Sequence, residues 1–298
     1  LAGARALYER AIERAPAHVA ALSNFGLFLA DALGDAAGAQ ALYERALAAD
    51  PAHANTLYNL GVLLASQGRL ARAEACYRGA VAAAPGHAFA WYNLALLRER
   101  ERDLDGAQAA FEAALRAAPR DAVTLTDFAR FLLLARQDHL GAEWRLHEAL
   151  EASAQRHGPA WLQLGRLHMR TANFRAAEAA FDQCLAIDAA DADALTELAT
   201  LRADVCDRPD EARSLYERAL AVRPDHPTAL INLADLLFDV LADPDEEAAT
   251  LYLRALQAQP ESAFVRGSVC QFLASHGIAV ALSAPVEGLV ARLRPFLR

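Results

Sequence analysis

One recurrence limits what this chain can fold into more than any other feature of its sequence. A proline closes an apolar, helix-like stretch at Pro16, Pro51, Pro85, Pro119, Pro224 and Pro260. Ala189 stands at the same place once, and Gln155 is the nearest equivalent in an irregular segment. Successive spacings are 35, 34, 34, 36, 34, 35 and 36 residues. A period near 34 with helical content demands stacked helix pairs, each burying its apolar face on its neighbours. Residues 54–85 show the unit most clearly. Leu57, Leu60, Gly61 and Leu64 share one helical stripe, and Gln67 and Gly68 interrupt it. Ala73, Tyr77 and Ala80 then resume it before Pro85. Proline lacks an N–H and favours an extended residue before it, so the second helix ends near Ala83 or Ala84. The small residues Gly61, Ala73 and Ala80 fall where two helix backbones must approach.

Matched positions carry the unit along the chain. A Trp/Leu slot holds Leu22, Leu57, Trp91, Leu125, Trp161, Leu195 and Leu230. Three residues later comes a large–small pair, as in Phe25-Gly26, Leu60-Gly61, Leu94-Ala95, Leu164-Gly165 and Leu233-Ala234. An Ala–aromatic–Ala run follows, as in Ala39/Tyr43/Ala46, Ala107/Phe111/Ala114 and Ala212/Tyr216/Ala219. On these residues the chain resembles the tetratricopeptide (TPR) family over nearly its whole length. The resemblance implies an all-α fold, a right-handed superhelical solenoid of about seven helix–turn–helix repeats with partial repeats at both ends. It reads as a half repeat over 1–17 and repeats from 18, 53, 87, 121, 157, 191 and 226. A decayed first helix over 262–277 has Arg266 in the Trp/Leu slot, and a capping helix lies within 278–298.

Some repeats carry surplus residues. Repeat one has an extra residue around Gly34 and Asp35, and repeat four has its surplus in the polar stretch 152–158. Residues 207–210 and 242–245 lengthen the inner turns of repeats six and seven, each placing a proline among acids near a helix start. In the tail, Val286, Leu289, Val290 and Leu293 form one face, suited to covering the end of the array.

Composition removes several function classes. A net charge of −9 argues against a duplex-binding surface, which needs clustered cations. Every cation is arginine, so P-loop, Schiff-base and lysine-base chemistries are out. Cys76, Cys184, Cys206 and Cys270 are far apart with no CxxC, which suits a reducing, cytoplasmic setting. No apolar run is long enough to span a bilayer, and no signal peptide is visible. The chain starts on Leu1 with a second helix lacking its first, and so reads as part of a longer polypeptide. His18, His53, His87 and His226 fall two residues after a closing proline, where Asp121, Asp191 and Ser262 stand elsewhere. That is a helix-capping position, with His157 its equivalent in the irregular repeat. Side chains a repeat apart cannot converge on one metal. No catalytic motif is present, so the expectation is no catalysis, no cofactor and no metal.

One set of residues is unusual. The position just before the large–small pair is polar every time: Asn24, Asn59, Asn93, Asp127, Gln163, Glu197 and Asn232. Asn and Asp compete with the backbone for hydrogen bonds and are poor mid-helix residues. Two readings account for them. Each side chain bonds the adjacent repeat and stiffens the stack, or the row faces a groove and holds a ligand's peptide backbone. The second is similar to the asparagine row of the TPR superhelix in O-linked N-acetylglucosamine transferases. In TPR proteins the first helices line the concave face, so helix geometry adds neighbours there. They are Ser23, Leu27, Asn55, Tyr58, Val62, Phe89, Tyr92 and Leu96, then Thr126, Arg130, Arg166 and Arg170, then Asp193, Asp235 and Asp239. This pattern predicts a groove that runs from apolar through basic to acidic. Val123 and Asp127 occupy slots where a chaperone-tail clamp needs cations, so Hsp70 or Hsp90 tail binding is not expected. The reading is a non-catalytic scaffold for extended or helical peptide segments, with no nucleic-acid, membrane or small-molecule partner. The alternative is the substrate-recruiting arm of a larger enzyme of the glycosyltransferase type.

Overall fold

The computed structural model describes residues 1–241 and 245–297. Among them every regular element is helical. The chain divides into two compact units, residues 1–152 and 153–298, and the division falls at the polar stretch that interrupts the repeat register.

The first unit starts with a lone helix, α1 (Ala2–Arg14), and continues as antiparallel pairs. These are α2 (Val19–Leu33) with α3 (Ala36–Ala49), and α4 (Ala54–Ser66) with α5 (Leu70–Ala83). Then come α6 (Ala88–Arg100) with α7 (Leu104–Ala117), and α8 (Ala122–Phe131) with α9 (His139–Ala152). The second unit repeats the plan with α10 (Gly158–Arg170) and α11 (Phe174–Ile187), and with α12 (Ala192–Asp204) and α13 (Pro209–Val222). The next pair is α14 (Pro227–Asp235) and α15 (Asp245–Ala258), followed by α16 (Ala263–Ser275) and the tail helix α17 (Val286–Leu293).

The recurring small residues let the pairs close. Ala39, Ala73, Ala107, Ala142, Ala177, Ala212 and Ala248 are all fully buried. Four residues on stands an aromatic ring, or Leu146 after Ala142, and where the first helix carries glycine the ring rests on it. A Cβ added at Gly61 would lie 2.6 Å from the Tyr77 ring, and one at Gly26 would lie 2.6 Å from Tyr43. Glycine here serves close approach, not a turn. The inner turn does need left-handed backbone, at Gly68 (φ 74°), Arg102 (φ 64°) and Ala172 (φ 55°). Gly68 adopts it without the steric cost that the other two bear.

The surplus in repeat four lies partly elsewhere than the sequence suggested. Ala129 and Ala142 are 13 residues apart where Gly61 and Ala73 are 12 apart. The added residue is absorbed by a π-helical turn, Leu132–Arg136, that prolongs α8. Widening the helix there keeps Phe131, Leu132 and Leu133 in the core. A second π turn, Leu236–Leu241, prolongs α14 in the same way. Pro209 starts α13 with Asp210 and Glu211 in its first turn. In the corresponding turn of repeat seven, Ala242, Asp243 and Pro244 lie outside the described residues. In the tail, Leu289 and Leu293 are fully buried in the core of the second unit, with Val286 and Val290 packed against it.

Candidate ligand-binding surface

The row of polar residues on the first helices is mostly engaged between repeats. The Tyr92 hydroxyl of α6 donates to the Asp127 carboxylate of α8 at 2.6 Å. The Asn93 side chain of α6 faces the Tyr58 hydroxyl of α4 and partly offsets the rise that burial imposes on its pKa. In the second unit the Arg166 guanidinium donates to Glu197 at 2.7 Å, and the Asn232 amide donates to the Thr200 hydroxyl at 3.1 Å. Thr200 in turn shares a hydrogen bond with the Tyr216 hydroxyl. Three of the seven row residues are thus bonded back to the preceding first helix, and Asn93 faces it. They meet the residue either one position before or three positions after its own row residue. Burial raises the Tyr58 and Tyr92 pKa values, and at Tyr92 the Asp127 carboxylate adds to the rise. Gln163 is half-buried.

The same geometry reduces the expected separation of charge, although Asp235 and Asp239 stand together with no arginine among the described residues paired to either. Arg130 donates two 3.0 Å bonds to Glu99 and a longer one to Asp127. Arg166 is paired with Glu197, so expected basic and acidic residues neutralise each other. Asp193 is held by Arg223 and, at 2.9 Å, by His226; His226 and Arg223 keep its carboxyl well below the usual range. Asp235 accepts from the Tyr252 hydroxyl, and burial raises its pKa. Asp239 is exposed beside it. First helices of adjacent repeats stand side by side, so charges about 31 residues apart meet, which a reading along each helix alone does not reveal. Ser23 and Thr126, expected on the surface, are buried at 2 % and 6 % exposure.

Repeats one and two differ. Asn24 is exposed and Asn59 half-buried, and the residues that would partner Asn59 on α2 are Ser23, which is buried, and Leu27, which is apolar. An open cavity of about 450 Å³ lies between α2 and α4. Leu27, Asp31, Tyr58, Asn59 and Val62 line it, and Tyr43 of α3 forms its floor. Leu27 and Val62 are about 40 % exposed and Phe89, beyond Tyr58, is 62 % exposed. The His87 and Phe89 rings pack against the Tyr58 ring at 4.9 and 6.3 Å.

The histidines at the helix starts act as caps. The Nδ1 atoms of His18, His53, His87 and His226 accept the N–H groups of Ala21, Thr56, Ala90 and Ala229. Asp121, Asp191 and Ser262 cap α8, α12 and α16 likewise. His157 stands at the N-cap of α10 without a side-chain capping bond. Among the described residues no group of three His, Cys, Asp or Glu side chains is arranged to hold a metal ion. No helix among them is long and apolar enough to cross a membrane.

Tetratricopeptide repeat patterns match residues 29–88, 71–122 and 207–263, and a second such pattern matches residues 158–191. No curated protein sequence matches the chain. Among solved structures it is similar to a tetratricopeptide repeat protein from Parabacteroides merdae, with TM-score 0.68 and 17% identity over 89% of this chain and 98% of the other. It is similar to pilF of Pseudomonas aeruginosa, with TM-score 0.62 and 22% identity over 74% and 97%. It is also similar to yeast Tom70, with TM-score 0.64 and 16% identity over 93% of this chain and 58% of that one. At these identities the likeness is one of fold.

Proposed function

This chain belongs to the tetratricopeptide repeat family, and from that premise we propose that it is a non-catalytic scaffold that binds peptide segments of other proteins on its first helices. One observation carries the reading. Between α2 and α4, half-exposed Leu27 and Val62 line one cavity with the Asn59 amide, which no neighbouring repeat engages, and exposed Phe89 of α6 packs on the Tyr58 ring that completes the lining. Scattered exposed apolar residues are ordinary, but a contiguous set around a cavity marks an interaction surface. The helices that carry these residues are fixed by the core, so little ordering is lost on the protein side when a segment docks.

The rest of the first-helix surface has a different part. Asp127, Glu197 and Asn232 join repeats, and Arg130 and Arg166 are ion-paired. A backbone-holding row of the glycosyltransferase kind would need these side chains for the ligand, so the scaffold reading is the better supported.

The test is selection from a random peptide display library on the full chain, followed by titration of the selected peptides. Saturable binding of one peptide per chain supports the proposal. Failure to select any peptide, at target concentrations up to the hundred-micromolar range, would remove it.

A further inference from the structure

Resting on that reading, we infer that the cavity between α2 and α4 takes an extended peptide carrying a Leu-, Ile- or Phe-sized side chain with a Lys or Arg close beside it. Three features of the cavity specify this occupant. Leu27, Val62 and the face of Tyr58 supply an apolar wall around a space of about 450 Å³, enough for one bulky side chain. Asn59 offers both a donor and an acceptor beside that wall, and no residue of α2 takes them up. Asp31 stands exposed at the rim, and its charge helps burial to push the Tyr43 hydroxyl up to about 12.

The Asn59 amide decides between an extended and a helical occupant. A helix has already bonded its own N–H and C=O groups within itself, so it leaves a side-chain amide nothing to pair with on the backbone. An extended segment presents both groups at each residue. Asn59 therefore pairs with the backbone, and the apolar wall receives the side chain next to it. Asp31 then faces the neighbouring cation of the ligand. The Tyr58 wall is preset, because the His87 and Phe89 rings pack against it. Where Leu27, Val62 and Leu96 stand on α2, α4 and α6, the later first helices α8, α10, α12 and α14 carry Arg130, Arg166, Thr200 and Asp235, each already hydrogen-bonded, so the apolar wall is confined to the first three repeats.

The experiment uses the full chain and a labelled peptide from the library selection, with binding read by fluorescence anisotropy. Wild type should enrich peptides with a bulky apolar residue within two positions of Lys or Arg. Val62→Ser should weaken binding roughly tenfold or more, from the lost apolar contact. Asn59→Ala should weaken it several-fold, as one neutral hydrogen bond would. Asp31→Asn should erase the preference for Lys or Arg and the salt dependence of binding, and leave the apolar preference intact. Each variant is first matched to wild type in thermal midpoint; Asp31 is exposed, so that variant keeps the test alive if another fails to fold. Selected peptides whose binding ignores all three substitutions would overturn this inference and leave the scaffold reading standing. Apolar residues recurring at helical spacing, with proline beside the anchor abolishing binding, would overturn the extended occupant. If wild type selects no peptide, both fall.

Discussion

The Tyr92 hydroxyl donates to the Asp127 carboxylate across 2.6 Å, and so ties α6 to α8 at the position where a ligand-facing row was expected. The bond runs between repeats and sits in a half-buried setting, so the row residue of repeat four acts on the stability of the stack.

Asp127→Ala should therefore destabilise the first unit by about 1.5–3 kcal/mol, the usual loss for a hydrogen bond to a charged group. The substitution strands the Tyr92 hydroxyl and removes one of the carboxylates facing Arg130. Asn24→Ala should be neutral or stabilise by up to about 0.7 kcal/mol, because Asn24 is exposed and Ala is the better helix former. Urea unfolding of the two variants measures the difference. Equal effects would mean that Asn24 also joins repeats.

How much of this was legible in the sequence follows from helix geometry. The period, the helix pairs and the capping role of the histidines could all be read from residue spacing. So could the polar row itself, since mid-helix Asn and Asp stand out against their low propensity. What stands across from each row residue could not, because it depends on a different side chain some 31 to 35 residues away. The position before the row differs from its expected place on the surface for a related reason. It is rotated about 100° toward the interior, so short side chains there, Ser23 and Thr126, are buried. The long rings of Tyr58 and Tyr92 at the same position reach out far enough to meet the next repeat.

Gly61→Ala tests the close approach within a pair. The new methyl would meet the Tyr77 ring at 2.6 Å, and Tyr77 is only 2 % exposed, so the ring has nowhere to go. Overpacking of this kind typically costs about 1–3 kcal/mol, and the better helix propensity of Ala offsets up to about 1 kcal/mol of it. A net loss of about 1–2 kcal/mol is expected by chemical unfolding. Gly86→Ala is the control, since nothing lies within 4 Å of its added Cβ. A stabilised Gly61→Ala variant would show that the helices can spread without penalty.

His87 gives the pH dependence a direction. Burial lowers its pKa, and its Nδ1 caps α6 only while that nitrogen carries no proton. Between this lowered value and about 6.5 the unfolded chain binds more protons than the folded one. The contribution is thus fully present above about pH 6.5 and is lost as pH falls through that window. His87→Asn keeps a capping acceptor and removes the titration. Its thermal midpoint should fall less than that of wild type between about pH 7 and 5. Parallel curves would place the titration elsewhere.

Arg266 occupies a slot where other repeats carry Trp or Leu, and from the sequence it looked like decay of the pattern. Its guanidinium instead reproduces a bond that the tryptophans make. Trp91 and Trp161 donate to the carbonyls of Pro85 and Gln155, six residues before each, at 2.9 and 3.1 Å. Arg266 donates to the carbonyl of Pro260, also six residues before, at 3.3 Å. Its remaining N–H groups reach the carbonyls of Leu282 at 2.9 Å and of Ala284, in the segment that leads into α17. One side chain thus closes the loop before α16 and fastens the tail against it. Arg266→Trp should keep the first function and lose the second. Global stability should change little, since Leu289 and Leu293 still bury themselves in the core. Amide hydrogen exchange over residues 280–288 should speed up severalfold, as one or two charge-assisted bonds no longer hold that backbone. Unchanged exchange there, with wild-type stability, would mean that burial of α17 alone fixes the tail and that Arg266 serves only its own loop.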